Sequence, residues 1–380
     1  MQKYEIVATT LMGLENVLLE ELKSFGAENI EKLRRAIRFI GDDKLLFKAN
    51  MLSRVAVRFL VPIDDFIAEN ENELYNNAKS FPWEKVLHIN QTFSIDATIS
   101  GNYFSNSHYV ALKVKDAIAD RFREKKGRRP DVGKGNPDIL INVHVTGSEV
   151  VVSLDSSGVS LDRRGYRIKS NEAPINEVLA AGIILLSGWK ADSPFYDPMA
   201  GSGTFSIEAA LIGTKTPPNL NRSFCMQNWV DFDSTLYSKV KAELKSQIVE
   251  PELKIYARDI ISKNLEVIGE NAEMAGMDEY INLKKADFFE TEPITENGIL
   301  FLNPPYGERM KIDDLFDFYS RIGDTLKQKY AGFEAWMISS DKEAIKNAQL
   351  NANLKYTFSK PWDAKELISK IEEEIGKMND

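Results

Sequence analysis

The chain has 380 residues, a hydrophobic fraction of 43% and a formal net charge of −9 at pH 7. This length predicts two or three domains with full hydrophobic cores, and no apolar run approaches the roughly 18 residues that predict a membrane span. The acidic balance argues against indiscriminate binding to nucleic acid, although a local basic face can still contact phosphate.

Cysteine and histidine are too scarce for several classes of site. The single cysteine, Cys225, excludes an intrachain disulfide and fits a reducing compartment. His88, His108 and His144 lie far apart, so the spacing of a Cys/His zinc site is absent and we expect no metal. Residues 1–5 lack the apolar segment of a signal peptide. We therefore expect a cytoplasmic protein without a membrane segment.

The first 157 residues read as two small units of mixed strands and helices. Apolar spacing predicts the first over residues 1–62, with strands at 4–10, 36–40 and 54–62 and helices at 13–25 and 43–52. It predicts the second over residues 63–157, with helices at 71–79 and 107–126, a strand at 93–99, and a hairpin of 139–145 with 150–154.

Two basic runs stand out in this acidic chain. The first begins in the last predicted helix of the second unit and contains Arg121, Arg123, Lys125, Lys126, Arg128, Arg129 and Lys134. The second lies in a polar linker, residues 158–171, and contains Arg163, Arg164 and Arg167 around Tyr166. Arginine interleaved with an aromatic ring suits stacking on bases and contact with phosphate. We predict that both runs bind RNA; for the first, a solvated helix end is the alternative.

From residue 172 onwards, strands and helices alternate. Strands are predicted to end near residues 197, 258, 285, 302, 339 and 359, with helices at 174–187, 205–212, 262–275 and 313–329. This alternation predicts a doubly wound, mostly parallel sheet. The insertion at 215–230 is expected to form a lip over the site, and residues 363–375 are expected to form a helix that covers the last sheet edge.

The first strand of this region leads into a glycine loop, residues 197–204 (DPMAGSGT). Gly201 and Gly203 allow positive φ and bring backbone N–H groups close to a ligand. The loop is neither a Walker motif, because no Gly-Lys-Ser/Thr follows, nor G-x-G-x-x-G, because residue 206 is serine. Asp259, at the end of the next strand, is placed to accept both hydroxyls of a ribose. Asp287 can accept from an adenine amine, with a helix cap or an ordinary surface aspartate as the alternative.

The apolar run Gly298–Leu302 ends in Asn303-Pro304-Pro305-Tyr306. Neither proline can donate a ladder hydrogen bond, so the strand stops in a stiff loop. The Asn303 side chain and the Pro304 carbonyl are two acceptors, and Tyr306 offers a flat ring. Such a set can hold a planar base and bind the N–H groups of its exocyclic amine, which favours the pyramidal geometry needed for attack. An ordinary turn is the alternative.

These motifs resemble those of a known family. Residues 197–204 with 303–306 resemble class I S-adenosylmethionine-dependent amino-methyltransferases. Residues 1–155 resemble a ferredoxin-like unit followed by a THUMP RNA-binding domain, and residues 164–167, 173–175 and 303–310 resemble the methylase half. Over about residues 1–345 the chain is similar to THUMP-domain RNA guanine-N2 methyltransferases of the bacterial large-subunit rRNA type, which include the N-terminal half of RlmL and free-standing YpsC-like proteins.

The resemblance implies a fold and a set of roles. The fold is α/β: a Rossmann-like class I methyltransferase domain over 172–380, preceded by the α+β ferredoxin-like and THUMP region. The residues implied to bind S-adenosyl-L-methionine are Pro174, Asp197, Met199, Gly201, Ser202, Gly203 and Thr204 at its methionine end, Asp259 at the ribose and Asp287 at the adenine. The implied catalytic loop is Asn303, Pro304, Pro305 and Tyr306, with Tyr306 stacking on the base.

The resemblance leaves several functions open. We expect methylation of the guanine N2 amine in RNA, with 23S rRNA as the substrate. The alternatives are a tRNA guanine-N2 methyltransferase, an adenine-N6 nucleic-acid methyltransferase, and an RNA-binding protein with a vestigial methylase fold. A nucleotide-dependent dehydrogenase is disfavoured, because nothing in that chemistry explains Asn-Pro-Pro-Tyr.

Overall fold

The computed structural model describes residues 2–133, 135–169, 174–304, 312–338 and 357–358. The chain divides into two compact units. The first comprises Met1–Thr10, Leu18–Leu161 and Asn219–Leu244, and the second comprises Leu11–Val17, Asp162–Pro218 and Lys245–Asp380. Within the described ranges, no helix combines the length and the apolar character needed to cross a bilayer.

The elements alternate along most of the chain. The strands are β1 (Tyr4–Thr10), β2 (Glu28–Leu33), β3 (Ala36–Gly41), β4 (Ala56–Ile67), β5 (Thr92–Ser100), β6 (Asp131–Val132), β7 (Ile139–Thr146), β8 (Glu149–Asp155), β9 (Phe195–Asp197), β10 (Ile255–Asp259), β11 (Ile281–Lys285), β12 (Gly298–Leu302), β13 (Phe333–Ile338) and β14 (Thr357–Phe358). The helices are α1 (Glu15–Phe25), α2 (Asp43–Leu52), α3 (Glu71–Ser80), α4 (Ser107–Lys126), α5 (Glu177–Leu186), α6 (Thr204–Gly213), α7 (Ser234–Lys245), α8 (Ser262–Ala275) and α9 (Ile312–Lys329).

One sheet runs through the first unit, in the order β2-β3-β1-β4-β8-β7-β5-β6. The central strand β4 pairs antiparallel with β1 through its first half and with β8 from Leu60 to Ile67. Helix α4 buries Val110, Val114, Ala117, Ile118 and Phe122 in a core with the sheet. The predicted boundary between residues 62 and 63 falls inside β4, so the two predicted N-terminal domains share a strand.

The second unit contains a parallel sheet in the order β11-β10-β9-β12-β13-β14. Side chains of α5, α6 and α8 join the core on one face of the sheet, and those of α9 join the core on the other. Strand β12 is apolar throughout because both of its faces are covered, and its residues from Ile299 to Leu302 are at most 4% exposed. The predicted doubly wound, parallel architecture is confirmed.

This topology places the ends of the strands that matter for function along one edge. The strand order reverses between β9 and β12, and open α/β sheets bind ligands at such a reversal, beyond the carboxyl ends of the strands. Asp197 ends β9 and Asp259 ends β10, while Asn303 follows β12.

Other parts of the structure differ from the sequence predictions or fall outside the described residues. Strands β2 and β6 and helix α7 were not predicted. The segment at 215–230, expected to cover the site, largely belongs to the first unit: Asn219 N donates to Met51 O at 3.1 Å and Met226 N donates to Ser156 O at 3.0 Å. The predicted helix at 363–375 lies outside the described residues.

Candidate active site

A cavity of about 460 Å³ lies beyond the carboxyl ends of β9, β10 and β12. Most of the residues predicted to bind the cofactor or the target amine line this single cavity: Pro174, Asp197, Met199, Gly201, Ser202, Thr204, Asp259, Asp287, Asn303 and Pro304. No residue of the insertion at 215–230 is among the described residues that line it.

The glycine loop has the left-handed backbone that its sequence predicts. Gly201 has φ 59° and Gly203 has φ 80°. A Cβ atom added at Gly203 would lie 2.8 Å from Ile268 Cγ2, so that position needs glycine for space as well as for conformation. Ala200 N donates to Arg258 O at 2.9 Å, which ties the loop to β10.

Asp197 is a buried carboxyl group at the base of the cavity. Its Oδ2 accepts from Ser206 Oγ at 2.8 Å and from Ser206 N at 3.3 Å. Burial raises the pKa of Asp197 to about 7; the bonds from Ser206 oppose this shift, and the charge of Asp259 adds to it. Both of these bonds reach Oδ2, so Oδ1 keeps acceptor capacity for a cationic donor.

Asp259 and Asp287 use part of their hydrogen-bonding capacity to hold the local backbone. Asp259 Oδ2 accepts from Gly201 N at 2.9 Å, and Oδ1 accepts from Ile261 N at 2.8 Å. Asp287 Oδ1 accepts from Phe289 N at 2.9 Å. Each carboxylate oxygen can accept about two bonds, so both groups retain acceptor sites for a ligand.

Asn303, the first residue of the Asn-Pro-Pro-Tyr motif, lines the cavity. Asn303 Oδ1 is buried and accepts no hydrogen bond from the described part of the chain. A buried acceptor without a partner costs about 1–3 kcal/mol, which favours a role in ligand binding. Pro304 lines the cavity beside it. Pro305 and Tyr306 lie outside the described residues, so their roles stay predictions.

Apolar side chains that the sequence reasoning missed also line the cavity. Ile260 and Ile261, directly after Asp259, are 57% and 55% exposed. Phe289 packs edge to face on Phe318, and Arg321 lies 4.2 Å from the centroid of the Phe289 ring. The sequence did contain a signal for the two isoleucines, because they directly follow Asp259 at the end of a strand. An apolar pair there offers a flat surface to a ligand's ring beside a hydrogen-bond acceptor.

Comparison with known families identifies the chain. Three family models match it: an RlmL ferredoxin-like domain over residues 5–60, a THUMP domain over 68–155, and an RMKL-like methyltransferase domain over 164–360. The last covers more than half of the chain. The chain belongs to the RMKL-like methyltransferase family.

Individual relatives of this methyltransferase agree. The protein slr0064 of Synechocystis, named as an RNA methyltransferase, is 36% identical over 92% of both chains. The ribosomal RNA large subunit methyltransferase K/L of Shewanella frigidimarina is 34% identical over 92% of this chain and 50% of its own length, so the chain spans about half of that relative. The crystal structure of SMU.472 complexed with SAH superposes with a TM-score of 0.82, at 29% identity over 93% of both chains.

The cofactor of this methyltransferase is S-adenosylmethionine, and the cavity fits it. The molecule carries an ammonium group, a ribose diol and an exocyclic amine, all hydrogen-bond donors. Asp197, Asp259 and Asp287 supply acceptors with unused capacity along the cavity. Within the described ranges, no cluster of three or more His, Cys, Asp or Glu side chains is arranged to hold a metal ion.

The first basic run of the methyltransferase is exposed except at its start. The exposed members are Arg123, Lys125, Lys126, Arg128 and Arg129, and Lys134 lies outside the described residues. For Arg121, the structure corrects the prediction of contact with RNA. Its Nε and Nη2 each donate to Glu84 at 2.8 Å, and these bonds lower the pKa of Glu84 to about 2. The Arg121 guanidinium therefore fastens α4 to the short turn Trp83–Lys85 that follows α3, and it is not free for phosphate.

The second basic run faces mostly inward, which corrects two further predictions. Arg164 forms an ion pair with Glu208 in which both side chains are 0% exposed. Arg167 is 16% exposed and bonds within the methyltransferase unit. Buried charges need partners inside the fold. The sequence hinted at such a partner in Glu208, because it is the one acid in the otherwise apolar helix α6. Arg163 is exposed, and its contact with RNA stays a prediction.

Proposed function

We propose that this enzyme transfers a methyl group from S-adenosylmethionine to the exocyclic N2 amine of a guanine in RNA, with 23S rRNA as the substrate. The observation that carries the proposal is the buried Asn303 Oδ1 in the cavity beside the glycine loop, which accepts no hydrogen bond from the described residues. The THUMP match, the exposed basic residues in and directly after the last turn of α4 and the names of the relatives favour RNA. A cytoplasmic location accords with a ribosomal substrate.

In the proposed arrangement, each carboxylate takes one part of the cofactor. Asp197 Oδ1 accepts from the ammonium group of its methionine end, which lies along Gly201 and Thr204. Asp259 accepts from the ribose hydroxyls, and Asp287 accepts from the adenine amine. Two hydroxyls on one carboxylate make charge-assisted hydrogen bonds worth about 1.5–3 kcal/mol each. When bound, the cofactor supplies an electrophilic methyl group on a sulfonium.

Asn303 and Pro304 activate and orient the target amine. An aromatic amine is a weak nucleophile because its lone pair is delocalised into the ring. Asn303 Oδ1 and the Pro304 carbonyl each accept one hydrogen bond from the two N–H groups of this amine. These bonds favour a pyramidal nitrogen, whose lone pair is free to attack the methyl group. These acceptors bind the transition state more strongly than the planar ground state. The nitrogen then loses one proton to water, and the chain needs no strong base.

Single-turnover transfer with saturating RNA and cofactor tests this assignment. Asn303→Ala should slow transfer by roughly 100- to 1000-fold, by analogy with the loss of one oxyanion-hole donor. Its affinity for the cofactor should change little. The matched control is Asn264→Ala, because Asn264 lines the same cavity from α8; it should alter cofactor affinity at most and leave the saturated rate intact. A wild-type rate for Asn303→Ala would remove the centre of the proposal.

The identity of the methylated nucleoside tests the substrate. Labelled methyl transfer to 23S rRNA and to tRNA, each lacking its own modifications, is followed by nucleoside analysis. N2-methylguanine in 23S rRNA supports the proposal, and label only in tRNA changes the substrate. N6-methyladenine is the second candidate, because the same acceptors serve any exocyclic amine. It is favoured by a Listeria monocytogenes structure described as a predicted N6-adenine-specific DNA methylase, with a TM-score of 0.83 at 29% identity. A ribose or ring-carbon methyl group would refute the role of Asn303.

A further inference from the structure

The arginine-rich segment before the methyltransferase helices is hydrogen-bonded to the glycine loop and to the helix that follows this loop. We call residues 162–169 the strap. Arg164 Nε donates to Glu208 Oε1 at 3.3 Å, and the Tyr166 hydroxyl donates to the same oxygen at 3.0 Å. Glu208 lies in α6, the helix that begins directly after the glycine loop. The strap is therefore anchored to α6 in a buried site.

Arg167 bonds to two walls of the cofactor cavity. Its Nη2 donates to Ile175 O at 2.7 Å and to Thr204 Oγ1 at 3.0 Å, and its Nε lies 3.3 Å from Glu177 Oε1. Ile175 and Thr204 both line the cavity. A planar guanidinium can hold several acceptors in fixed directions, so one side chain sets the position of Thr204 relative to the segment at 175.

Asn271 makes the second link between the strap and the loop. This fully buried residue of α8 accepts from Ile168 N at 3.2 Å and donates to Lys169 O and Ser202 O, each at 3.1 Å. One amide therefore connects the end of the strap with the carbonyl of a loop residue that lines the cavity. Asn271 and Arg167 reach the loop at Ser202 and Thr204, on either side of Gly203.

A loop with two glycines has more backbone freedom to lose on binding than most loops. Contacts that fix such a loop beforehand raise affinity, because the ligand no longer has to order it. We propose that Arg167 and Asn271 are positioning residues that hold Ser202 and Thr204 in the arrangement that binds S-adenosylmethionine. The inference rests on the cofactor position given under Proposed function. The strap thus serves the cofactor, although its composition suggests RNA.

Three variants of the strap test the inference. Arg167→Met should raise the dissociation constant of S-adenosylmethionine about tenfold or more, since it removes charged hydrogen bonds. With saturating cofactor, its single-turnover rate should stay within about twofold of wild type. Arg167→Lys, which can reach only one acceptor, should bind with intermediate affinity. Lys169→Met is the matched control. The Lys169 side chain is on the same strap but pairs with Glu270 at the surface, so the affinity of this variant for S-adenosylmethionine should equal that of the wild type.

The measurements are calorimetry with S-adenosylmethionine, RNA affinity and thermal unfolding of the full chain. A lower melting temperature for Arg167→Met with unchanged cofactor affinity would show a purely structural role and overturn the inference. An equal loss in Lys169→Met would also overturn it. If Arg167→Met does not fold, Arg167→Lys decides the matter by the same affinity measurement. Asp259→Ala is measured in parallel. If Arg167→Met loses cofactor affinity while Asp259→Ala keeps the wild-type affinity, the proposed cofactor position fails. If Asp259→Ala loses cofactor affinity while Arg167→Met keeps it, only the strap inference fails.

Discussion

Asp197→Asn separates the stability cost of a buried carboxyl group from its use in binding. Burial raises the pKa of Asp197 from its ordinary 3.8 to about 7, so the folded protein keeps a proton that the unfolded chain has released. The stabilising contribution of this group is therefore complete below about pH 4 and is lost as the pH rises to about 7. At about 1.4 kcal/mol for each pKa unit, the full loss is about 4 kcal/mol.

The assay compares the two proteins across this range. Between pH 5 and pH 8, the contribution of Asp197 to the free energy of local opening in the wild type should fall by about 2.5 kcal/mol. Asp197→Asn should lose none of that amount, because an amide does not titrate in this range, and its oxygen can still accept from Ser206. Hydrogen exchange in peptides from β9 and α6 reports the opening of this region alone, with the exposed Asp192→Asn as the control. Parallel pH profiles for the wild type and Asp197→Asn would refute the reasoning.

Cofactor binding should change with pH in the opposite direction. Only the ionised carboxylate attracts an ammonium group strongly, and its fraction rises from about 1% at pH 5 to about half at pH 7. Calorimetry should therefore show the affinity for S-adenosylmethionine rising by a factor of tens over this range. Asp197→Asn should bind weakly, with a nearly flat profile. A flat profile for the wild type would mean that Asp197 does not contact the ammonium group.

Three further changes have defined outcomes. Charge reversal at Arg128 and Arg129 should weaken RNA binding and flatten its salt dependence without altering cofactor affinity; an unchanged salt slope would assign these side chains to solvated surface. Gly203→Ala should abolish detectable cofactor binding, because its Cβ would meet Ile268 at 2.8 Å in a left-handed backbone, and wild-type affinity in calorimetry would contradict this. Arg164→Met should destabilise the second unit by about 3–5 kcal/mol, because it leaves a buried carboxylate unpaired; denaturant unfolding measures it, and a loss under about 1 kcal/mol would contradict it.

Elements with local signals were predictable from the sequence. The bounds of α4 follow from Asn106, whose side chain accepts from Tyr109 N, and from Gly127, which has φ 73° at the other end. Strand β12 and the glycine loop were equally readable, because their residues need no distant partner to define them. Strand β2 was missed because it is largely exposed and lacks alternating apolar residues.

The orientation of the strap was not readable from local composition. Arginines in a polar segment normally lie in solvent, and only the tertiary fold brings Arg164 to Glu208, which is 44 residues away in the chain. The cavity shows the same limit. Asp197, Asp259 and Asn303 each had a local signal, but the parallel sheet was needed to place them together. The aromatic wall at Phe289 and Phe318 had no signal at all, because each residue taken alone resembles an ordinary core position.

The division of the chain into units has a consequence for synthesis on the ribosome. Residues 219–244 complete the first unit, with Leu220, Phe224 and Met226 at most 5% exposed, yet they are translated after residues 162–218 of the second. The N-terminal unit therefore cannot finish folding as soon as its first 161 residues emerge. It waits with an incomplete core while about eighty more residues are made, up to Leu244, which takes several seconds at typical rates. A fragment cut at the linker would retain that incomplete state and expose apolar surface.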